Sequence, residues 1–582
     1  EVIECVKQFY LMASRIYEVY ITIPPDGGYS WVIAAISFFG YAIADGIGSS
    51  FYLYRKRISQ DLGISTPMSA AIGSTYSSLC LFTGPIVSSL CNLYGFRWIL
   101  ITGGILTSSG MGLAYFCKNF PTMLLLFGII TGIGGGCALI PITAPVGYWF
   151  DKKRPIALGG SSAGSGIGML VVPYTTHKIM DMYGWKSAFI YHSALFSLYI
   201  VLGIFLISLP PMLLKPEDTT QSRLIPQVGE AHRKKIKAHN KYHKAASEIF
   251  PSSVLQISAT DPMFYASMSR SFREKGNTER YRILSRPTLR QNSATSSFHI
   301  VNKICICCKK QEFGHRPMYK TDIFYQGSVF RLKEVKTLQA EKAIDYAMSV
   351  SKLPTKKDIH EEEMLCVCCP EALRRTWNTM IDFSIMKECC FVLFLLSNSF
   401  FTMGSSLPVL YINSKARSIR DLPRNAVEWL VPSIGIGTFF GRLLAGILLQ
   451  VFPELHAYHI CLGVNLAVVL LTFGIIYFDN IYYYFLYTSF FGMCFGVFTS
   501  IRSLILVDYL GLEKLTTATG VSFAFGGLAL LLGPPFADFL KHLFDSNKPI
   551  FYFAGGLMSV SMVFLSLLPL VKERARKEVE NI

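Results

Sequence analysis

The sequence has little charge. Only 16% of its 582 residues are Asp, Glu, Lys or Arg, whereas soluble domains carry about 25%. Hydrophobic residues make up 51% of the chain, and the mean hydropathy is +0.38. A chain with so few charges cannot cover a water-facing surface of this size. The composition therefore predicts an integral membrane protein.

Several local signals are also missing. The sequence has no Asn-x-Ser/Thr sequon, so direct N-glycosylation is not expected. No loop carries a catalytic constellation, which argues against an enzyme, and we expect no cofactor. Residues 1–23 have no clean apolar core, so a cleavable signal peptide is not expected either.

The central part of the chain has no simple pair of Cys-x₂-Cys motifs of the kind that is typical of zinc fingers, because its cysteines are arranged as Cys-x-Cys-Cys. Two similar clusters, Cys305-Ile306-Cys307-Cys308 and Cys366-Val367-Cys368-Cys369, have this spacing. Zinc is therefore the weakest interpretation, and we predict no metal site. Palmitoylation beside the membrane and unmodified thiols are the other two alternatives.

Long apolar segments are abundant. A helix needs about twenty apolar residues to cross a bilayer, and twelve segments meet this requirement: 30–54, 70–92, 98–117, 121–147, 156–180, 187–210, 388–413, 428–451, 457–477, 481–507, 515–541 and 549–571. The pattern predicts an all-α polytopic membrane protein with twelve transmembrane helices in two six-helix bundles. The predicted organisation is an N-terminal segment 1–25, a bundle 26–210, a long loop 211–386, a bundle 387–571 and a tail 572–582.

The net charge of +17 is concentrated in the loop. Residues 215–382 hold 29 Lys or Arg against 18 Asp or Glu. Basic charge beside spans more often meets the cytoplasmic side or anionic lipid than nucleic acid, so we expect a lipid bilayer and no nucleic acid as partner. The loop composition also favours disorder. An even number of spans and the loop thiols predict that both termini and the loop are cytoplasmic.

Three stretches resemble one known family. They are Asp26-Gly27-Gly28-Tyr29-Ser30-Trp31, then Tyr148 to Gly159 running into Ala163-Gly164, and Val507-Asp508-Tyr509-Leu510-Gly511 followed by Gly520 and Leu532-Gly533-Pro534-Pro535. The chain is similar in these motifs to the monocarboxylate transporters of the major facilitator superfamily. The resemblance covers about 26–210 and 388–571, and it leaves out the loop.

The resemblance implies two bundles built of inverted three-helix repeats, a central site and alternating access. It also implies a plasma-membrane protein and a single-span glycoprotein as an ancillary partner, with which the missing sequon is compatible. It does not fix the solute. Family members carry lactate and pyruvate with a proton, aromatic amino acids, iodothyronines or creatine.

Three ionisable residues lie inside predicted spans, where a charge is costly and is a functional candidate. They are Asp45 in helix 1, Arg442 in helix 8 and Arg502 in helix 10. Arg442 aligns with the family's substrate arginine, and an arginine fork suits a carboxylate. Asp45 and Arg502 would shape the polar centre, although each could instead form a structural ion pair or extend to the interface.

Two positions depart from the proton-coupled lactate carriers of the family. Ser49 stands where they have a lysine in helix 1, and Thr438 stands where they have an aspartate one turn before the arginine. Proton coupling is therefore open, and Asp45, one turn from Ser49, is an alternative proton acceptor. We count Ser49 and Thr438 as candidate substrate-binding positions.

The remaining motif residues predict gating or orientation rather than solute contact. Gly27, Gly28 and Trp31 accompany Asp26. Arg97 follows the second apolar segment, Lys153 and Arg154 precede the fifth, Gly159 and Gly164 lie within it, and Asp508 ends the tenth. Glycines four residues apart, such as Gly160, Gly164 and Gly168, favour close helix packing.

The sequence thus predicts a carrier of a small organic solute that bears a carboxylate, working by alternating access with or without a coupled proton. One alternative is a facilitative carrier of amino acids or other zwitterionic or neutral solutes. Another is a receptor or scaffold that does not transport and uses its loop to bind partners.

Overall fold

The computed structural model describes residues 19–21, 24–209, 212–214, 318, 322–327, 352–353, 382–419, 423–452 and 457–580. The chain forms two units, of which one comprises residues 1–23, 210–315 and 354–358 and the other comprises 24–209, 316–353 and 359–582. Both cysteine clusters of the loop lie outside the described residues.

The described residues of the smaller unit form two short strands. Strand β1, Val19–Ile21, pairs antiparallel with β2, Met212–Leu214, and Val19 lies opposite Leu214. The larger unit contains β3, Lys352–Leu353, and all of the helices described below.

The helices form two sets of six. The first set is α1 (Tyr29–Asp61), α2 (Thr66–Phe82), α3 (Gly84–Ala114), α4 (Phe120–Trp149), α5 (Arg154–Tyr183) and α6 (Ser187–Phe205). The second set is α7 (Cys389–Arg417), α8 (Leu430–Val451), α9 (Ala457–Tyr477), α10 (Ile481–Leu510), α11 (Leu515–Phe544) and α12 (Lys548–Glu580). Short turns, Phe383–Lys387, Arg424–Val427 and Leu512–Lys514, precede α7, α8 and α11. Within α4, residues Leu124–Ile130 are π-helical.

Ten of the described helices are long and apolar enough to cross a membrane, and α2 with α3 meets the same test as a pair bent by 48°. Helix α3 itself is broken at Gly95, which has a φ of 77° and a ψ of 163°. A φ in this range suits glycine because it has no Cβ.

The chain reverses direction at Gly95. Helix α2 runs parallel to α4, whereas the part of α3 after Gly95 runs antiparallel to α4. The contacts that establish these directions are Gly128 with Ile72, Gly132 with Tyr76, Gly110 with Thr131 and Gly103 with Ala138. Helix α2 and the start of α3 thus make one crossing, and the rest of α3 makes the next. With the ten helices that meet the test singly, these two crossings give twelve in the described part of the chain, which is the number that the sequence predicted.

Glycines let the helices of the first half approach closely. A Cβ added to Gly164 or Gly168 in α5 would overlap the backbone carbonyl oxygens of Phe38 and Ala42 in α1. A Cβ added to Gly159 would lie 2.7 Å from the Cα of Gly446 in α8. Helix α5 therefore packs through glycine against both α1 and α8, and it joins the two halves.

Helix α1 is longer than the sequence indicated. It runs to Asp61 and includes Arg55-Lys56-Arg57, which lie beyond the predicted segment 30–54. The reason is that Arg55 is paired inside the protein, with its Nη1 atom 3.0 Å from Oδ2 of Asp538 in α11. A cation with a buried partner does not need to lie at the membrane surface.

We call the end of the bundle at which α1, α5 and α11 begin the inner end, and the opposite end the outer end. Large apolar side chains such as Phe39, Leu470 and Leu532 are exposed on the helix surfaces, as expected for a protein that faces lipid.

Candidate functional site

A cavity of about 350 Å³ lies between the two halves of the molecule. Helices α1, α2, α4, α5 and α6 line it from the first half, and α7, α8, α10 and α11 line it from the second. Four of its residues are charged: Asp45, Arg55, Arg442 and Arg502. The cavity is therefore lined by four of the five predicted substrate-binding residues, namely Asp45, Ser49, Arg442 and Arg502.

Arg442, in the second half, makes contacts with the first half at the cavity. Its Nη2 atom lies 3.6 Å from Oδ2 of Asp45 in α1, and its Nη1 atom donates a hydrogen bond of 2.9 Å to the carbonyl oxygen of Ser162 in α5. Its guanidinium carbon lies 5.6 Å from the centre of the Tyr41 ring, a distance at which a cation and an aromatic face attract each other. Arg442 is buried, so these contacts compensate for the water that its charge has lost.

Asp45 is the more accessible partner of this ion pair. Its side chain is 36% exposed, compared with 9% for the side chain of Arg442. Ser49 lies one turn further along α1, is buried, and donates its hydroxyl to the carbonyl oxygen of Gly46 at 2.9 Å. The hydroxyl of Ser49 is thus already hydrogen-bonded within α1. On this face of the helix the charged group in the cavity is the carboxylate of Asp45.

Arg502 has a different environment. Its guanidinium carbon lies 5.8 Å from the centre of the Phe523 ring in α11. Within the described part of the chain, no carboxylate lies within ion-pair distance of Arg502. A half-buried guanidinium without a counter-ion is costly in a low-dielectric site, and it is therefore a ready site for an anion.

The charges around the cavity do not cancel. Arg442 is paired with Asp45 and Arg55 with Asp538, which leaves the charge of Arg502 unbalanced among the described residues. A solute with one negative charge would neutralise the site.

Most of the remaining cavity wall is apolar and aromatic. Phe401 in α7 stacks on Phe498 in α10 with ring centres 3.8 Å apart, and Phe51 in α1 stacks on Phe127 in α4 at 5.6 Å. Asn398 in α7 also lines the cavity, and its buried Oδ1 atom accepts no hydrogen bond from the described residues. The cavity therefore offers cations, a few polar atoms and an apolar wall, as solute pockets usually do.

Thr438 does not line the cavity. It is fully buried in α8, where its carbonyl oxygen lies against Gly496 of α10. One turn of helix thus separates the cavity-facing Arg442 from a position that packs against its neighbouring helix.

The first motif is bound to the second at the inner end. The carboxylate of Asp26 accepts hydrogen bonds from the backbone amides of Asp151, Lys152 and Lys153 at 2.8, 3.2 and 3.3 Å. These amides immediately precede α5, where unpaired N–H groups favour an anion. The Trp31 ring packs on Phe150 at 5.1 Å, so the motif joins the start of α1 to the start of α5.

The turn that carries this contact depends on its glycine. Gly28 has a φ of 58°, and Asp26 itself has a φ of 49°. Gly27 contributes its carbonyl oxygen, which accepts a hydrogen bond from the Ser30 hydroxyl at 3.0 Å.

Arg154 is fully buried at the same end. Its Nη1 atom lies 2.8 Å from Oδ2 of Asp322, its Nε atom donates to the carbonyl oxygen of Phe150 at 2.8 Å, and its Nη2 atom donates to that of Gly147 at 2.8 Å. Asp322 belongs to the long loop, and sequence reasoning missed it. A short run of apolar residues, Ile323-Phe324-Tyr325, in an otherwise polar loop was the available signal.

The other motif residues lie outside the cavity lining. Arg97 is exposed, with its guanidinium 5.9 Å from the Trp98 ring, and the side chain of Lys153 is exposed. The carbonyl oxygen of Asp508 accepts a hydrogen bond of 2.7 Å from Lys572. Gly159 and Gly164 serve helix packing. Sequence reasoning also missed Arg55 as a cavity residue and Asp538 as its partner.

The described residues contain no group of three or more His, Cys, Asp or Glu side chains that could hold a metal ion.

Comparisons with known proteins give a consistent result. The sequence model of the Major Facilitator Superfamily matches residues 30–272 and 389–581. Monocarboxylate transporter 14 of Homo sapiens is 21% identical over 556 residues, which cover 95% of this chain and 93% of that protein. Monocarboxylate transporter 9 of Gallus gallus is 23% identical and covers 94% of each chain.

A shorter match has a higher identity, and a solved structure has the same fold. Monocarboxylate transporter 3 of Gallus gallus is 32% identical over 171 residues, which are 29% of this chain and 31% of that protein. The proton:xylose symporter XylE, solved with 6-bromo-6-deoxy-D-glucose, superposes with a TM-score of 0.54 at 11% identity, and it covers 93% of this chain and 96% of that one. At this identity the likeness shows the fold alone.

Proposed function

The chain belongs to the Major Facilitator Superfamily, and on that premise we propose that it carries a small carboxylate-bearing solute across a membrane by alternating access. The predicted resemblance to the monocarboxylate transporters is confirmed, because relatives with that name match over nearly the whole chain. The protein is thus a multi-pass membrane transporter and not an enzyme. The class of solute and the steps below are the proposal.

The observation that carries the proposal is the unbalanced charge of Arg502. This guanidinium lines the cavity without a carboxylate partner among the described residues, while Arg442 and Arg55 are each paired. An arginine fork can hold a carboxylate through two parallel charge-assisted hydrogen bonds. A monocarboxylate would supply the missing charge, and its organic part would lie against Phe401 and Phe498.

Arg442 couples solute binding to the relative movement of the two halves. It belongs to α8 in the second half, yet its contacts with Asp45 and Ser162 are in the first half. A carboxylate that binds Arg442 must compete with Asp45. Binding and the contact between the halves are therefore coupled, as alternating access requires.

A zwitterionic solute is the second candidate. Asp45 is 36% exposed and lies 3.6 Å from Arg442, which is longer than a close charge-assisted hydrogen bond. It can therefore turn toward an ammonium group while Arg442 or Arg502 holds the carboxylate. A receptor or scaffold that does not transport is a different class, and solute flux separates it from both.

Proton coupling would rest on Asp45. Of the two positions that carry coupling groups in the lactate carriers, Ser49 bonds its own helix and Thr438 is buried away from the cavity. Asp45 is the carboxylate that remains in the cavity lining. Plasma-membrane location, cytoplasmic termini and a single-span ancillary glycoprotein are further parts of the proposal, and they rest on the resemblance.

Uptake by the full-length protein in vesicles tests the proposal. The solutes would be a panel of monocarboxylates, aromatic amino acids and creatine, each at two pH values. Truncating a buried charge partner costs roughly 2–5 kcal/mol, so Arg442→Ala and Arg502→Ala should each lower uptake about 30-fold or more. Arg97→Ala is the matched control, because Arg97 is exposed outside the cavity lining.

Two results would contradict the proposal. If Arg442→Ala and Arg502→Ala took up solute at the level of the Arg97→Ala control, neither arginine would bind the carboxylate. No flux of any solute in the panel, by a protein that is folded and inserted, would favour the receptor class.

A further inference from the structure

Part of the long loop is built into the inner end of the helix bundle. Met318 and residues 322–327, which we call the strap, are described by the structure, and most of them are buried. The strap lies between the two halves in sequence, and it contacts both of them in space.

The first half holds the strap through polar groups. Arg154 at the start of α5 forms its ion pair of 2.8 Å with Asp322 and also donates to the carbonyl oxygen of Asp322 at 3.3 Å. The side chain of Asn92 in α3 accepts a hydrogen bond of 2.8 Å from the backbone amide of Met318. Ile323 lies so close to Gly147 in α4 that a Cβ on this glycine would overlap its carbonyl oxygen.

The second half holds the strap through aromatic packing. The ring of Phe324 meets that of Phe523 in α11 edge to face, with centres 6.3 Å apart and an angle of 85°. Tyr325 is buried in the apolar core of the second half, which also contains Phe391, Leu512 and Leu515.

Phe523 connects the strap to the cavity. Its ring contacts Phe324 of the strap, and the guanidinium carbon of Arg502 lies 5.8 Å from the ring centre. Gly84 at the start of α3 lies against the same ring. The strap is thus separated from a cavity-lining cation by a single aromatic side chain.

The two attachments differ in strength. The ion pair of Arg154 and Asp322 is fully buried, and separating such a pair leaves an uncompensated charge, which is strongly unfavourable. Aromatic contacts have no such penalty when they part and become hydrated gradually. The strap should therefore stay with the first half and separate from the second.

We propose that the strap is an intramolecular closure that keeps the inner ends of the two halves together, anchored by Arg154 and released at Phe324 and Tyr325 when the cavity opens to that side. The strap occupies an interaction surface formed by Gly147, Arg154 and Phe523. The inference rests on the two halves moving apart during transport and not on the identity of the solute.

Distances between spin labels test the closure without any solute. Full-length protein in lipid nanodiscs would carry labels at positions 152 and 387, attached through a keto amino acid so that the native cysteines stay. The side chains of Lys152 and Lys387 are exposed at the inner end of the first and second half, respectively. Phe324→Ala should raise the ratio of long to short distances about tenfold or more, because it removes the aromatic attachment.

Asp322→Asn provides a second variant, and it should produce the same lengthening by detaching the strap from Arg154. Glu388→Gln is the control, since it removes an ion pair with Lys514 at the same end but within the second half. Lengthening in Phe324→Ala or Asp322→Asn but not in Glu388→Gln supports the closure. Wild-type distances in both strap variants, or equal lengthening in the control, overturn it. Either result can be obtained whether or not any solute of the uptake panel is transported.

Discussion

The carboxylate of Asp45 in α1 lies 3.6 Å from the guanidinium of Arg442 in α8. This ion pair joins the two halves at the cavity, and both of its members line the space that a solute would enter. Whatever binds Arg442 must therefore either displace Asp45 or share the arginine with it.

Neutralising Asp45 should separate the two classes of solute. In Asp45→Asn, uptake of a monocarboxylate that moves without a proton should be maintained or rise, because the competing carboxylate is gone, whereas proton-coupled uptake should fall because the proton acceptor is lost. Uptake of an amino acid should fall about 30-fold or more, since the ammonium loses its charge partner in the cavity. Asp61→Asn is the control, because Asp61 forms an exposed pair with Lys186 at the end of α1. A fall of equal size for both classes of solute, with the pH dependence of uptake unchanged, would assign Asp45 a structural role only.

The pair of Arg55 and Asp538 should contribute to stability asymmetrically. Asp538 is 1% exposed and lies 3.0 Å from Arg55, so Asp538→Leu should leave a buried cation and destabilise the fold by about 3–5 kcal/mol. The double variant Arg55→Met with Asp538→Leu should recover most of that loss, because it removes both charges. Thermal unfolding in detergent measures the two effects, and no recovery in the double variant would contradict a buried pair.

Two glycines four residues apart in α5 should respond in opposite ways to alanine. A Cβ at Gly164 would overlap the carbonyl oxygen of Phe38, whereas a Cβ at Gly160 would meet no atom within 4 Å. Gly164→Ala should therefore reduce the yield of folded protein. Gly160→Ala should be neutral or stabilise by about 0.5–1 kcal/mol, as alanine does in a helix. Size-exclusion profiles and unfolding temperatures measure both, and equal behaviour of the two variants would refute the packing of α1 on α5.

Asp26 should act as a cap that belongs to a different helix. Asp26→Ala removes the acceptor of three backbone amides before α5, and loss of a cap typically costs about 0.5–2 kcal/mol. Asp26→Asn, which keeps one acceptor oxygen, should lie between wild type and Asp26→Ala in unfolding temperature. Asp382→Ala is the control, because Asp382 caps a short exposed turn through Ser384. Identical unfolding temperatures for wild type and Asp26→Ala would show that these hydrogen bonds add nothing.

The sequence predicted the twelve crossings because unpaired backbone groups are costly in lipid, so each long apolar segment has to form a helix. It also placed Asp45, Ser49, Arg442 and Arg502 in the right helices, since a charge within a span is easily recognised. It could not pair Arg55 with Asp538, because these residues are 483 positions apart in the chain and the two helices are brought together only by the packing of the two halves.

The strap escaped prediction for a different reason. The composition of the loop is polar and basic over its whole length, and a few apolar residues such as Ile323 and Phe324 do not change that average. Ile323 and Phe324 are held in place by residues that are distant in sequence, namely Gly147 and the ring of Phe523. Thr438 illustrates the same limit. It lies four residues from Arg442 on a similar face of α8, and only the packing of α8 against Gly496 of α10 shows that it is covered.

The hydrogen bonds of Asp26 have a consequence for the order in which the protein is made. Their partners lie 125 to 127 residues further along the chain. Asp26 therefore cannot form these hydrogen bonds until the ribosome has synthesised three more membrane crossings. At about 5–20 residues per second this interval lasts roughly 6–25 s. Arg154 then waits for another 168 residues until Asp322 emerges. The first six helices must therefore persist in the bilayer with an unmatched cation, and the loop completes them before the second half is synthesised.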